Sequence, residues 1–315
     1  MRRRTLVSIA ALILAGCGLS TLGTMENPDA SVTASSSSGA ASGAFGDGAS
    51  PDDANVEPSD ANASSSGGDA PSCGAMDVVC AGACCRGFCA DNTCKKPILW
   101  LRGDDAVAGS TFTWPDRSGI GNDVKQTMDS LKPTIQGTLL NGHKVLRFPN
   151  TARLVSINSF QPGTGDIAWF HVSSNLGSNS GDKNQVFGTL IDQNPWSGIT
   201  AGYDSQNHPY GMLREGTDVF FTGSSFSTTG SFNVIDLRRA GGNAELRKNG
   251  SSLVTGAATM NLNGGAFVVG SERATGTEFF NGDTAEIVIF ATSLTNAERA
   301  SVAQQLGTRY GIVVQ

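Results

Sequence analysis

Between Pro97 and Gln315 the chain repeats one pattern: a short apolar run, then Gly, Asn, Asp or Ser, at spacings of roughly ten residues. Ile98-Leu99-Trp100-Leu101, Val145-Leu146-Arg147-Phe148, Ile167-Ala168-Trp169-Phe170-His171-Val172, Val186 to Ile191, Phe232 to Leu237 and Ala285 to Phe290 are such runs. Several strands at this spacing predict an all-β sandwich or barrel, and the length of the region suits a jelly roll. One hairpin is well marked: Ala244 to Lys248 alternates, Asn249-Gly250 supplies a positive-φ turn, and Ser252-Leu253-Val254 returns. Only the end reads as a helix. Thr295-Asn296-Ala297-Glu298 fits a capping box, Val302, Leu306 and Tyr310 follow at helical spacing, and Gly311 is the stop. That helix is expected to lay Val302, Leu306 and Tyr310 on the sandwich.

The pattern is absent upstream. Met1-Arg2-Arg3-Arg4 precedes an apolar stretch, Leu6 to Ala15, too short for the roughly 20 residues a bilayer span needs. This is the layout of a secretory signal. From Gly18 to Ser72 there is no Lys or Arg, large apolar residues are scattered without period, and Ser, Ala, Gly, Asp, Asn and Pro dominate. Such a stretch cannot offset its ordering entropy by burial and is expected to be a linker with an r.m.s. span on the order of 40 Å. Six cysteines then crowd together: Cys73, Cys80, Cys84, Cys85, Cys89 and Cys94. An even, dense cluster in an exported chain reads as disulfides, fifteen pairings being open from sequence. A piece this small has no core, so its bridges must stabilise it.

Of 22 basic and 28 acidic groups, 19 and 20 remain once the three N-terminal arginines and the eight acids of the linker are set aside. The folded part is near neutral, and without a basic field nucleic acid is not an expected partner.

Three resemblances sharpen this reading. Leu14-Ala15-Gly16-Cys17 resembles the lipobox of bacterial lipoproteins, which implies acylation of Cys17, a membrane partner through the N-terminal lipid and, with Gly18 following, the outer membrane of a Gram-negative envelope. The order C…C…CC…C…C resembles a knottin, which implies Cys73–Cys85, Cys80–Cys89 and Cys84–Cys94. Trp114-Pro115-Asp116-Arg117-Ser118-Gly119-Ile120-Gly121-Asn122-Asp123, together with Phe280 to Ile287, Leu294-Thr295, Glu298-Arg299 and Tyr310-Gly311-Ile312, is similar to the bacterial laminin-G-like, concanavalin-A-like jelly rolls. Leu99-Trp100-Leu101 matches that family's first strand, while Pro149-Asn150 stands where it usually has Asp-Gly. The expected organisation is therefore a signal peptide over 1–16, a lipidated Cys17 and linker over 17–72, a cystine-rich segment over 73–96, and an antiparallel two-sheet jelly roll with a short C-terminal helix over 97–315.

This fold serves hydrolases, lectins and adhesion modules alike. Retaining glucanases built on it need carboxylates at alternate positions of one strand face. None of Glu215, Glu245, Glu272, Glu278, Glu286 and Glu298 has an Asp or Glu two residues on, so catalysis of that kind is not expected. His171 reads as a strand histidine satisfied by a neighbour. Asp116 and Asp123 flank a Gly/Asn loop and offer the oxygens of a calcium site, against the favoured reading of turn chemistry; no other cofactor is expected. Trp196, Tyr203, His208 and Tyr210 lie in one Gly/Asn-rich stretch and are the candidate sugar-binding groups, against the ordinary role of aromatics as core. The leading expectation is a surface-anchored, non-catalytic binding or adhesion module for glycan or matrix. A polysaccharide hydrolase of another mechanism, or a structural envelope protein, are the alternatives.

Overall fold

The computed structural model describes residues 73–74, 78–177, 183–191, 196–224, 227 and 229–315. The signal stretch, Cys17 and the linker lie outside the described residues.

The cystine segment is two hairpins, β1 (Val78–Cys80) with β2 (Ala83–Cys85) and β3 (Phe88–Ala90) with β4 (Thr93–Lys95). Each turns in two residues at positive φ, Ala81-Gly82 and Asp91-Asn92, the conformation that matches strand twist. The bridges are Cys73–Cys84, Cys80–Cys89 and Cys85–Cys94. The knottin-like pairing thus holds for Cys80–Cys89 alone, and the partners of Cys84 and Cys85 are exchanged. The reason is alternation: neighbours on one strand point to opposite sides, so Cys84 is exposed while Cys85 is buried toward the second hairpin.

The remaining strands are β5 (Leu99–Arg102), β6 (Phe112–Trp114), β7 (Val124–Gln126), β8 (Thr134–Leu140), β9 (His143–Phe148), β10 (Leu154–Ser159), β11 (Ile167–Asn175), β12 (Lys183–Gly188), β13 (Ser197–Asp204), β14 (Pro209–Glu215), β15 (Thr217–Thr222), β16 (Asn233–Ala240), β17 (Asn243–Lys248), β18 (Ser251–Ala257), β19 (Ala266–Val269) and β20 (Gly282–Phe290), before the helix α1 (Asn296–Tyr310). They form two antiparallel sheets. The first runs β18-β17-β16-β11-β20-β9-β8, with β5 also on β20; the second runs β15-β14-β13-β12-β19-β10-β7-β6. Between them lies the main core, with Trp114, Phe148, Trp169, Phe187, Tyr203, Leu237 and Ile287 among its buried members. The expected all-β sandwich with one C-terminal helix is what forms.

The central strands β11 and β20 are buried at every residue, so the first sheet is covered on both faces. On its outer face, Phe170, Val288 and Phe290 meet Val302, Leu306 and Tyr310 of α1. The capping box is formed: Thr295 Oγ1 accepts from the Glu298 amide, Glu298 accepts from the Thr295 amide, and Gly311 ends the helix at φ 68°. Two buried polar clamps fix the helix. Arg299 donates to Asp236 on β16 and, at 2.7 Å, to Glu245 on β17. Glu286 on β20 accepts from Arg309 at 2.6 Å, the Tyr310 hydroxyl at 2.7 Å and the Trp100 indole at 2.6 Å. A charge held this deep is tolerated only because each of these partners is present.

The cystine segment finishes the cover. Phe88 is 1% exposed, with its ring 5.1 Å from that of Trp100 and 5.9 Å from that of Phe290. Gln305 donates to the Cys89 carbonyl at 2.7 Å, and Lys95 pairs with Glu298 at 2.6 Å. Phe88 is therefore core of the sandwich, supplied from outside it. Phe88→Ala is expected to lower the unfolding free energy of the whole unit by ~3–5 kcal/mol, read as a single shifted transition in chemical denaturation. An unchanged transition would show that the hairpins fold apart from the sheets.

Inside the main core, His171 Nδ1 lies 2.9 Å from Ser173 Oγ, which in turn meets the Tyr203 hydroxyl at 2.9 Å. Nε2 has no partner among the described residues, and burial pushes the ring's pKa down from 6.5 to about 3. In the unfolded chain His171 takes a proton below 6.5, while in the folded one it stays neutral until about 3. The unfolded state binds more protons across that window, so stability falls as pH drops through it. Denaturation midpoints measured from pH 7 to 4 should slope accordingly, and His171→Gln should flatten the slope.

Candidate functional site

The outer face of the second sheet is built from alternate residues whose neighbours fill the core. On β14, Leu213 points inward while Tyr210, Met212 and Arg214 point out. On β12, Lys183 and Gln185 share the outer side with Gly202 of β13, opposite Gln185. After β19 the chain folds back over this face instead of leaving it. Gly188 makes this possible: a Cβ there would lie 2.2 Å from the Glu272 carbonyl oxygen. The Leu190 amide then donates to that carbonyl at 3.1 Å. Glu272, Arg273, Thr277 and Glu278 are thereby suspended above β12 to β14.

Between this loop and the sheet lies a pocket of about 300 Å³. Its floor includes Met212, and Trp196 lines one side, with the guanidinium carbons of Arg214 and Arg273 4.3 and 4.5 Å from its ring centre. Arg214 lies 2.7 Å from Asp218, and Arg273 pairs with Glu272 at 3.1 Å. Lys183 lies over Phe220, its ammonium 3.7 Å from the ring centre. Glu272 also accepts from the Thr277 hydroxyl. Burial, and next to it the charge of Glu278, push its carboxyl above the usual carboxylate range, against the pull of the Thr277 bond. Glu278 accepts from Gln185 at 2.7 Å and sits at φ 49°. A side chain other than Gly or Asn in this region carries a backbone penalty of roughly 1–2 kcal/mol, and such residues gather at functional sites.

Of the four groups read from sequence as sugar-binding, only Trp196 lines this pocket. Tyr210 lies under its floor, fully buried with Leu190 and Met212, and its hydroxyl is pushed well above the ordinary range by burial and then by Glu278. Tyr203 points to the opposite side of the sheet; it stacks on Phe280 and donates to the Ser173 carbonyl at 3.1 Å. The expectation of an exposed platform including Tyr203 and Tyr210 is corrected: both rings are 0% exposed. His208 braces the β13–β14 turn, its Nδ1 2.9 Å from Asp204.

Asp116 is a turn organiser. One of its oxygens accepts from the Trp100 and Ser118 amides at 2.9 and 3.0 Å, the other from the Asn122 amide at 2.9 Å and the Ser118 hydroxyl at 2.6 Å. Asp123 accepts from the Asp116 amide at 2.9 Å and pairs with Lys125. With these oxygens engaged by local donors, the calcium reading of Asp116 and Asp123 has no support in their geometry, and the turn reading accounts for both. Asp283 receives a bidentate pair from Arg147 at 2.8 and 2.9 Å, bracing β20 against β9.

Sequence reasoning did not find Lys183, Arg214, Asp218, Glu272, Arg273 or Glu278. The scan for carboxylates at alternate strand positions passes over Glu272 and Glu278, which lie six residues apart in a loop. The available signal was a polar stretch, Ser271 to Glu278, that follows Gly270 and lies between two apolar strands.

No protein-family description and no curated protein matches this sequence. Among solved structures, a Trypanosoma rangeli sialidase in complex with sialic acid aligns over 68% of this chain and 33% of its own, with a TM-score of 0.52 and 11% identity. The same sialidase in complex with 2,3-difluoro-KDN gives 0.51 and 10% over the same shares. A heptameric SAP-like pentraxin from Limulus polyphemus aligns over 50% of this chain and 81% of its own, at 0.41 and 16%. The chain spans about a third of the sialidase's length, and at such identities the likeness speaks for the β-sandwich fold alone.

Proposed function

We propose that this chain is a non-catalytic binding module that takes a glycan in the pocket on the outer face of the second sheet, displayed from the outer membrane by a lipid on Cys17. The pocket is the observation that carries the reading. Its volume of about 300 Å³ is at the lower end of ligand sites, ~300–1,000 Å³. Its walls alternate carboxylates with guanidinium and ammonium groups around an indole ring. Sugar hydroxyls donate and accept at once, so neighbouring hydroxyls suit acceptors and donors set side by side. The anchor comes from the Cys17 motif and the linker composition; a matrix glycan is within reach of the same chemistry.

Hydrolysis is the second reading, and one observation favours it. Glu272, with its carboxyl raised, shares the pocket with Glu278. A carboxyl of raised pKa beside a second carboxylate is the kind of pair that glycoside cleavage uses.

The full chain on a glycan array is expected to retain a defined set of sugars. Trp196→Ala should weaken binding about tenfold, as loss of a central aromatic contact does. An array with no retained sugar, or binding unchanged in both Trp196→Ala and Asp218→Asn, overturns the proposal. Release of reducing ends, lost in Glu272→Gln and in Glu278→Gln, would replace it with the hydrolase.

A further inference from the structure

We propose that the sugar held in this pocket is anionic, a uronate or a sulfated unit, with its acidic group seated on Lys183; this rests on the glycan reading above. The charged groups of the pocket are not equivalent. Arg214 has Asp218 at 2.7 Å and Arg273 has Glu272 at 3.1 Å. Lys183 differs: among the described residues it has no carboxylate partner, and its contacts are the Phe220 ring at 3.7 Å and the Tyr210 ring at 5.8 Å. An aromatic face attracts an ammonium, yet it occupies one side of a group with three N–H donors. The stem is thereby ordered in advance while donors remain for an incoming acceptor, and a pre-ordered lysine loses less freedom on binding.

The carboxylates fix the rest of the ligand's chemistry. Asp218, Glu272 and Glu278 line the same pocket and would repel a small bare anion. They accept from hydroxyls instead. Lys183 and Gln185 are two residues apart on one strand face, about 7 Å, and Gln185 holds Glu278 at 2.7 Å. The pocket therefore offers an ammonium together with a pinned carboxylate. A sugar that carries both an acidic group and hydroxyls matches the two.

The test compares the full chain with Lys183→Met, which keeps an apolar stem on Phe220 and removes the charge, and with Lys183→Arg, which restores a cation. The probes are oligogalacturonate, its methyl ester, a sulfated galactan and the same galactan desulfated. The full chain is expected to bind at least one charged probe roughly tenfold more tightly than its neutral counterpart at low salt, with the preference shrinking as salt rises. Lys183→Met should equalise charged and neutral probes, and Lys183→Arg should keep most of the preference. If Lys183→Met melts early, Lys183→Gln carries the comparison. Neutral probes binding as tightly as charged ones, or a preference that survives Lys183→Met, overturns the anionic assignment and leaves the glycan reading standing. Binding of none of the four probes, together with an array that retains no sugar, overturns both.

Discussion

The structure depends on one demand, that β11 and β20 be hidden on both sides. Every residue of these two strands is buried. A sheet with two apolar faces needs two covers. The second sheet covers one face, and α1 with Phe88 of the cystine segment covers the other. Much else follows from this. The helix must be seated, so Arg299 and Glu286 are buried with a full complement of partners. The hairpins before Pro97 must dock, so their bridges hold a hydrophobic residue in place as well as each other. With both covers committed to the first sheet, the outer face of the second carries, among the described residues, the folded-back β19–β20 loop, and the pocket is the space between that loop and the sheet.

Much of the fold was legible in the sequence because it follows local rules. Alternation located the strands, Asn249-Gly250 the hairpin, and Thr295 with Glu298 the helix start. The site was less legible because it follows no period. Tyr203 and Tyr210 sit seven residues apart in a stretch that looks like a loop, yet they occupy paired strands and point to opposite faces of one sheet. Glu272 and Glu278 meet through a loop whose course depends on Gly188, more than 80 residues earlier in the chain. Two of the three cystine pairs implied by the knottin resemblance differ for a similar reason. The order of cysteines says nothing of which side of β2 each one faces.

The residues that carry the family resemblance turn out to be builders. Asp116 and Asp123 tie a turn, Glu286 and Tyr310 fasten the helix, and Arg299 locks it to β16 and β17. None of them lines the pocket around Trp196. The segments that fasten the architecture and the segments that line the pocket are therefore separate.

The cystine segment rests against the helix, on the far side of the molecule from the pocket. Strain arriving through Cys73 would enter the domain at the Cys73–Cys84 bridge and divide between the contacts of Phe88 and Gln305 with the first sheet and α1 and the chain itself, which runs from β4 into β5 beside β20. Were the chain held at Cys17 and a molecule bound in the pocket, as proposed above, the two pulls would meet across the shared core and the first sheet with its buried clamps.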